Sequence, residues 1–383
     1  MPAIQTMPGD PPRTDGRLFF VDRVRVLLTA FVVLHHAALT YGSFALWYYH
    51  EPTMGEPPPP AGEWGRLLDL FLLLNQTYSM GLFFLISAYF VPASHDRKGG
   101  RRFLADRLLR VGLPLLVVAF VIVPLAKLPL YRWENARQPI GYLDFYAKEL
   151  EQGPAWFLAT LLVFVTAYAA LRALRPTPPR HQTSILRARH VAGFALLLVL
   201  LGIVWRIWPP FDRVPLLQLP VPQYLPQYVC MFVAGIAAYR HGWLTSLPVS
   251  TARWGFGVAV VAAVTLLPIA VGDPSAAGTR LLLAQVAHGT FDGLYCIGMS
   301  LGILGLFSRR LARPPRAFGR FLSDHAYAVY VLHAVVLVTV SVSLSNLQAG
   351  PLVKFALASV VSLPLCWAVA AAARRLPYVK RVL

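Results

Sequence analysis

The chain has 383 residues, of which 57% are hydrophobic and 14% are charged, and its mean hydropathy is +0.56. This composition excludes an ordinary soluble domain and indicates a membrane protein that crosses the bilayer several times. A net charge of +18 would suggest a nucleic-acid partner in a soluble protein. Here most of the Lys and Arg lie between the apolar stretches, so they indicate membrane topology, and no nucleic-acid partner is expected.

Ten stretches are long and apolar enough to cross about 30 Å of hydrocarbon. They lie near residues 24–47, 68–92, 110–130, 155–172, 190–208, 223–240, 254–272, 281–307, 325–345 and 353–373. Alternate connecting segments are rich in Lys and Arg, which by the positive-inside rule places both termini in the cytoplasm. We predict an all-α polytopic membrane helical bundle with a cytoplasmic N-terminal tail (1–22), a single ten-span domain (23–373) and a basic cytoplasmic tail (374–383).

The first span carries ionisable side chains where a membrane helix is normally most apolar. Arg25 opens the span, an apolar run follows, and His35 and His36 fall near mid-depth, where such groups are costly. On a helix, Arg25 and His36 lie about 20° from eclipsed and roughly 16 Å apart along the axis, whereas His35 points about 100° away. A neutral imidazole can take a proton from a hydroxyl, so His36 is the first candidate catalytic residue.

The start of the third span carries the densest basic cluster. Arg102, Arg107 and Arg110 belong to it, and the last two share one helix face at i, i+3 spacing. Guanidinium groups suit phosphate, so one interpretation is a docking site for a phosphate-bearing cytosolic cosubstrate. The other is a cluster that only sets orientation and contacts anionic lipid. The sequence does not choose between them.

Polar side chains also interrupt the eighth and ninth spans. His288 and Asp292 are four residues apart and should touch, either as a catalytic pair in which the carboxylate orients the imidazole or as a structural pair. Tyr330 and His333 add a polar stripe to the ninth span. By rise per residue, His36, His288 and His333 reach similar depths, provided that the fold brings their helices together. The three cysteines lie in apolar runs, so no metal site is expected.

The order of these motifs resembles the acyltransferase-3 family of polytopic membrane O-acyltransferases, over nearly the whole chain. That family has a basic residue, ten further residues and then a His in its first span, and Arg25 and His36 fit this spacing. The stretches FFLISAYF, FLADRLLRVGLP, WFL from Trp156 and AYAVYVLH are similar to the family's motifs in the second, third, fourth and ninth spans. Ala88 replaces a family glycine, and Asp106 stands where many members have Arg.

The resemblance implies transfer of a short acyl group from cytosolic acyl-CoA, with acetyl-CoA as the expected donor and no bound cofactor, to a hydroxyl of a carbohydrate or lipid-linked glycan. His36 would be the general base, and Arg25 would bind the donor or stabilise developing negative charge. The arginines expected to bind the CoA phosphates are Arg102, Arg107 and Arg110. The candidates for a supporting or acceptor site are Trp156, His288, Asp292, Tyr330 and His333. The expected location is a bacterial cytoplasmic (inner) membrane, in contact with membrane lipid.

Two other classes stay open. Ten spans with buried His and Asp also suit a proton-coupled transporter or flippase, although paired Gly/Pro-broken spans are not found in corresponding halves of the sequence. The third class is a catalytically silent sensor or assembly partner of a glycan-modifying machine. Proton-coupled uptake without acyl-CoA would favour the transporter, and acylation unaffected by His36→Ala would favour the silent partner.

Overall fold

The computed structural model describes residues 18–43, 47–49, 62–175, 184–208, 218–272 and 277–383, and every regular element in these ranges is helical. The main helices are α1 (Phe19–Tyr41), α2 (Glu63–Tyr89), α3 (Val91–Lys98), α4 (Gly100–Ala126), α5 (Leu128–Arg137), α6 (Tyr142–Lys148), α7 (Trp156–Leu174), α8 (Ala188–Ile207), α9 (Leu225–His241), α10 (Thr251–Val271), α11 (Thr279–Arg310), α12 (Ala317–Ser343), α13 (Pro351–Ala373) and α14 (Pro377–Val382). This confirms the predicted all-α polytopic fold.

The number of membrane crossings follows from where the two ends of the bundle lie. Within the described ranges, nine helical stretches have the length and apolarity to cross a membrane. The remaining predicted span is α9, whose 17 residues extend about 26 Å. Arg25, near the start of α1, and Leu383, beyond α13, line the same cavity. Nine crossings would put them on opposite sides, so α9 supplies a tenth. We name the two ends cytoplasmic and extracytoplasmic after the orientation predicted from the basic residues.

Close helix packing depends on glycines. An added Cβ at Gly289 of α11 would lie 2.6 Å from the backbone nitrogen of Ile203 of α8, and one at Gly235 of α9 would clash with the carbonyl oxygen of Leu85 of α2. Backbones can approach this closely only where no side chain intervenes. These contacts hold α8 against α11 and α9 against α2.

We expect Gly235→Ala to destabilise the protein by about 1–3 kcal/mol, because the added methyl forces α9 away from α2. Gly257→Ala is the matched control, since nothing lies within 4 Å of the added Cβ there and alanine favours the helix. Thermal unfolding of both variants in detergent measures the difference. Equal unfolding temperatures for the two variants would contradict this packing.

Two prolines in α4 free backbone carbonyls, and tyrosine hydroxyls donate to both of them. Pro114 lacks an amide hydrogen, so the carbonyl of Arg110 loses its helical donor. The hydroxyl of Tyr327 on α12 donates to that carbonyl at 2.6 Å. Pro124 repeats the arrangement with Tyr146 as the donor, at 3.1 Å from the freed oxygen. A π-helical turn precedes each proline. The first bond ties the basic start of α4 to α12.

Helix α1 lies inside the bundle, where it contacts α2, α11, α12 and α13. Val24, Leu28 and Val33 are fully buried along it. A helix surrounded in this way turns polar side chains on more than one face toward protein, so both His35 and His36 face the interior. This explains how a span interrupted by two histidines is accommodated.

Candidate active site

His36 of α1 and His333 of α12 meet at the centre of the bundle. His36 Nδ1 lies 3.1 Å from His333 Nε2 and 2.9 Å from the carbonyl oxygen of Val32. His333 Nδ1 lies 2.6 Å from the carbonyl oxygen of Tyr330. The two predicted histidines are therefore in direct contact.

This hydrogen-bond network assigns the tautomer of each neutral ring. A carbonyl oxygen can only accept, so Nδ1 carries the hydrogen in both histidines. The one hydrogen on His36 Nδ1 is then shared between the carbonyl oxygen of Val32 and Nε2 of His333, both of which accept. In consequence the lone pair of His36 is on Nε2, as a general base requires.

His36 lines a cavity of about 320 Å³, which we call the outer cavity. Its aromatic walls come from Trp47, whose ring stacks on His36 with centroids 4.1 Å apart, and from Trp156, which stacks on Tyr228 at 5.5 Å. Its polar lining consists of His35, His36, Asn75, Gln76, Ser79, Glu151 and Gln218, with the hydroxyl-bearing Tyr48 and Tyr330. A cavity with large aromatic surfaces and several hydrogen-bonding groups suits a polar organic ligand.

The acidic side of the outer cavity is held in place by a buried lysine. Lys127 Nζ lies 3.0 Å from carboxylate oxygens of both Glu149 and Glu151. Burial, and then the charge and hydrogen bond of Glu151, raises the pKa of Tyr48, so its phenol stays protonated and donates. Glu151 lines this cavity. Glu134 instead pairs with Lys148 at the surface, at 3.1 Å.

A second cavity, of about 370 Å³, opens on the other side of the bundle centre, and we call it the inner cavity. Arg25, Arg107 and Arg110 line it, together with apolar side chains that include Phe83 and Phe157. The predicted arginine Arg102 is exposed at the start of α4 and does not line it. Arg107 and Arg110, which were predicted to share one helix face, therefore both line this cavity.

Carboxylates already neutralise part of the charge in the inner cavity. Arg110 Nε lies 3.2 Å from Asp106, which also pairs with Lys98 at 2.9 Å. Arg25 lies 3.6 Å from Asp22. The guanidinium of Arg107 is placed over the ring of Phe103, and its buried Nε has no hydrogen-bond partner among the described residues. Arg107 thus has an N–H donor, at Nε, that is without a partner among the described residues.

The two cavities lie back to back. Met80 of α2 and Tyr330 of α12 line both of them. The hydroxyl of Tyr330 donates to the carbonyl oxygen of Pro154, 2.5 Å away. The side chains of Met80 and Tyr330 therefore separate the outer cavity, which contains His36, from the inner cavity, which contains the arginines.

His288 and Asp292 belong to a different cluster, outside both cavities. Their closest approach is 3.9 Å, longer than a hydrogen bond. The main partner of Asp292 is Arg206 of α8, whose Nε lies 3.0 Å from the carboxylate, and Tyr224 donates to it at 3.3 Å. A bond of 3.2 Å joins Tyr224 to Thr77 of α2, so the cluster links α2, α8, α11 and the turn that precedes α9.

Several residues of the outer cavity were not among the predicted site residues. Asn75 Nδ2 lies 3.2 Å from His35 Nδ1, which brings the second histidine into the site. Gln76 and Ser79 follow on the same helix. The signal was present in the sequence as a polar run, Asn75 to Ser79, in an otherwise apolar span. Trp47 gave no such signal, because aromatic residues are common at membrane interfaces.

Comparison with known proteins connects this geometry to a family. The chain is 25% identical over 244 residues to the glucans biosynthesis protein C of Salmonella gallinarum, and the match covers 59% of this chain and 59% of that protein. No solved structure matches the chain. The model of the acyltransferase-3 family, described as an acyltransferase domain, matches residues 18–371. The chain spans about three fifths of the length of that relative, and it belongs to the acyltransferase-3 family.

Proposed function

We propose that the protein moves a short acyl group, acetyl in the simplest case, from cytosolic acyl-CoA to a hydroxyl of a carbohydrate or lipid-linked glycan. The observation that carries this proposal is the pair of back-to-back cavities, one with a base-capable histidine and one with three arginines. The resemblance to a protein named for glucan biosynthesis supports a carbohydrate acceptor. The family's presence in bacterial inner membranes, as the resemblance implies, agrees with the predicted orientation.

His36 is the general base of the proposed reaction. Its Nε2 takes the proton of the acceptor hydroxyl while the hydroxyl oxygen attacks the thioester carbonyl carbon. The tetrahedral intermediate then breaks its C–S bond, the ester is released, and the CoA thiolate leaves and takes up a proton. His333 is a positioning residue, because it accepts from His36 Nδ1 at 3.1 Å and so keeps the lone pair on Nε2. The imidazolium formed keeps both bonds at Nδ1.

The arginines of the inner cavity bind the CoA phosphates in this proposal, since guanidinium–phosphate bonds are charge-assisted and frequently bidentate. Arg107 contributes most, because its buried Nε has no hydrogen-bond partner among the residues that the structure describes. Arg25 lies on the cytoplasmic side of His36 and stabilises negative charge on the donor. Arg102 lies outside the cavity, exposed at the start of α4. Because Arg102 is exposed, it contributes least of these arginines to binding of the CoA phosphates.

The acceptor sits in the outer cavity. The faces of Trp47 and Trp156 are apolar surfaces against which the C–H face of a sugar ring packs. Asn75, Gln76 and Glu151 supply hydrogen bonds to its hydroxyls. The Arg206–Asp292 cluster, with His288 at its edge, holds the helices behind this cavity and does not itself touch the acceptor.

Arg107→Gln should raise the KM for acetyl-CoA by about 10- to 100-fold and change kcat less, because hydrogen bonds to charged groups contribute about 1.5–3 kcal/mol. Arg102→Gln is the matched control at the exposed start of α4 and should change the KM by less than about threefold. Steady-state kinetics with acetyl-CoA as the varied substrate give both values. Equal effects of the two substitutions would contradict the placement of the phosphates.

The proposed activity is tested with purified protein in liposomes, supplied with radiolabelled acetyl-CoA and glucan oligosaccharides. Release of CoA together with label in an alkali-labile ester of the glucan supports acyl transfer to a hydroxyl. Folded protein that neither binds nor turns over acetyl-CoA, but moves a solute in response to a proton gradient, would instead establish the transporter class.

A further inference from the structure

A crevice outside both cavities opens sideways from the bundle between α8 and α9. It has a volume of about 590 Å³, and α11 forms its floor through Ile297, Leu301 and Leu304. Val229 and Val233, on its rim, are 43% and 57% exposed. Because the rim lies on the lipid-facing side of two membrane helices, the crevice is open to the hydrocarbon of the bilayer and not to water.

The glycine contacts of these helices explain why the crevice exists. Helix α8 approaches α11 most closely at Gly202 and Gly289, in its extracytoplasmic half, where Arg206 and Asp292 also pair. Helix α9 is drawn toward α2 by Gly235. The cytoplasmic half of α8 is therefore left apart from α9. The walls that face each other across the gap include Phe194 and Leu197 of α8 and Val229 and Ala234 of α9.

The depth of the crevice matches one leaflet. On α9 its deepest residue is Val229, twelve residues before the helix ends at His241, which corresponds to about 18 Å. On α8 it runs from His190 to Leu197, and so ends about 14 Å from the start of that helix. Half of the hydrocarbon core is about 15 Å thick. A transmembrane helix of another protein would need a groove across both leaflets, so a single acyl chain of the cytoplasmic leaflet fits better.

The cytoplasmic mouth of the crevice is basic. His190 and Trp243 line it, and their stacked rings have centroids 6.2 Å apart. The ring of His241 also stacks on that of Trp243, with centroids 5.1 Å apart. Arg187 and Arg189 are exposed at the start of α8. Neither segment at the mouth, 184–190 or 240–253, contains an Asp or Glu. Basic residues beside an apolar cleft at this level are suited to the phosphate of an anionic lipid.

We infer that the crevice between α8 and α9 is a binding site for one anionic phospholipid of the cytoplasmic leaflet. One acyl chain occupies the apolar gap and reaches Val229 and Cys230, and the phosphate lies against Arg187, Arg189 and His190. The site is separate from the outer and inner cavities, so the lipid is a structural ligand of the transferase and not its acyl donor.

The first experiment is native mass spectrometry of the detergent-solubilised protein with equal amounts of phosphatidylglycerol and phosphatidylethanolamine. The wild type should retain one phosphatidylglycerol in preference to phosphatidylethanolamine. Replacing Arg187 and Arg189 by Gln should lower that preference by about fivefold for each arginine removed. Arg313→Gln with Arg316→Gln, at another exposed cytoplasmic segment, is the matched control and should leave it unchanged. Equal retention of the two lipids by the wild type would overturn the proposal.

A second experiment tests the acyl-chain position. Ala234→Trp fills the gap and should remove the retained lipid, whereas Val264→Trp, on the lipid-facing surface of α10 at 70% exposure, should not. If Ala234→Trp does not fold, wild-type protein is photocrosslinked with phosphatidylglycerol that carries a diazirine in its acyl chain. Crosslinks on residues 190–197 and 229–238 support the site. Crosslinks confined to other helices, or full retention by folded Ala234→Trp protein, would overturn it.

Discussion

His36→Ala should lower kcat for acetyl transfer by about 10²- to 10⁴-fold, which is the usual contribution of a positioned general base. The loss should appear in kcat and leave the KM for acetyl-CoA little changed, since the arginines that we propose to bind the donor lie in the inner cavity. Initial rates of CoA release with saturating glucan oligosaccharide measure the effect. His325→Ala is the matched control, because His325 is half-buried on α12 outside both cavities, with its Nδ1 2.7 Å from the carbonyl oxygen of Phe321 in its own helix.

The hydrogen bonds of His36 assign the role of base to its Nε2, and a second substitution tests that assignment. His36→Gln keeps a polar side chain that can donate toward Val32 and His333, yet it has no basic nitrogen. If acid–base chemistry is the role of His36, then the Gln and Ala variants should be similarly inactive. Near-normal activity of the Gln variant would contradict the assignment of a base and leave only a role in packing.

Met80→Trp should abolish acyl transfer while acetyl-CoA still binds. Met80 lines both cavities and is 8% exposed, so a larger, rigid side chain at this position closes the passage through which the thioester meets the acceptor. The matched control is Met80→Leu, a nearly volume-conserving exchange that should keep most of the activity.

Measuring donor binding and turnover separately makes the Met80 prediction decisive. Isothermal titration of the Trp variant with acetyl-CoA should give an affinity within about threefold of the wild type, with no ester formed. Wild-type turnover by a folded Met80→Trp protein would show that the acyl group does not pass between the two cavities at this point. Loss of both binding and folding would be detected in the same titration and by thermal unfolding.

The spans could be predicted from sequence, and Arg25 and His36 could be chosen as candidates in the first of them, because both depend on local patterns. Hydrophobic stretches long enough for a bilayer and a basic residue eleven positions before a His are visible in one segment of chain. The depth argument also held for His36 and His333, which touch. His288 does not join them, although its helix α11 contacts α1, because it lies outside the outer cavity beside Asp292.

The parts that sequence reasoning missed depend on contacts between distant segments. Arg206 is the main partner of Asp292, although 86 residues separate them, and the i, i+4 neighbour His288 is only a weak partner. His35 was placed off the functional face by helix geometry, yet α1 is surrounded by protein and Asn75 of α2 meets it. A single helix wheel assumes one buried face, and that assumption fails for a central helix.

We propose that donor and acceptor occupy opposite cavities and that the acyl group passes between them past Met80 and Tyr330, which line both. Its most direct test uses proteoliposomes of known orientation, with radiolabelled acetyl-CoA on the side of the basic loops and glucan oligosaccharide on the other. We predict labelled glucan ester on the side that never receives acetyl-CoA, and none with His36→Ala protein. Ester formed only when acetyl-CoA and glucan share one side would contradict the account.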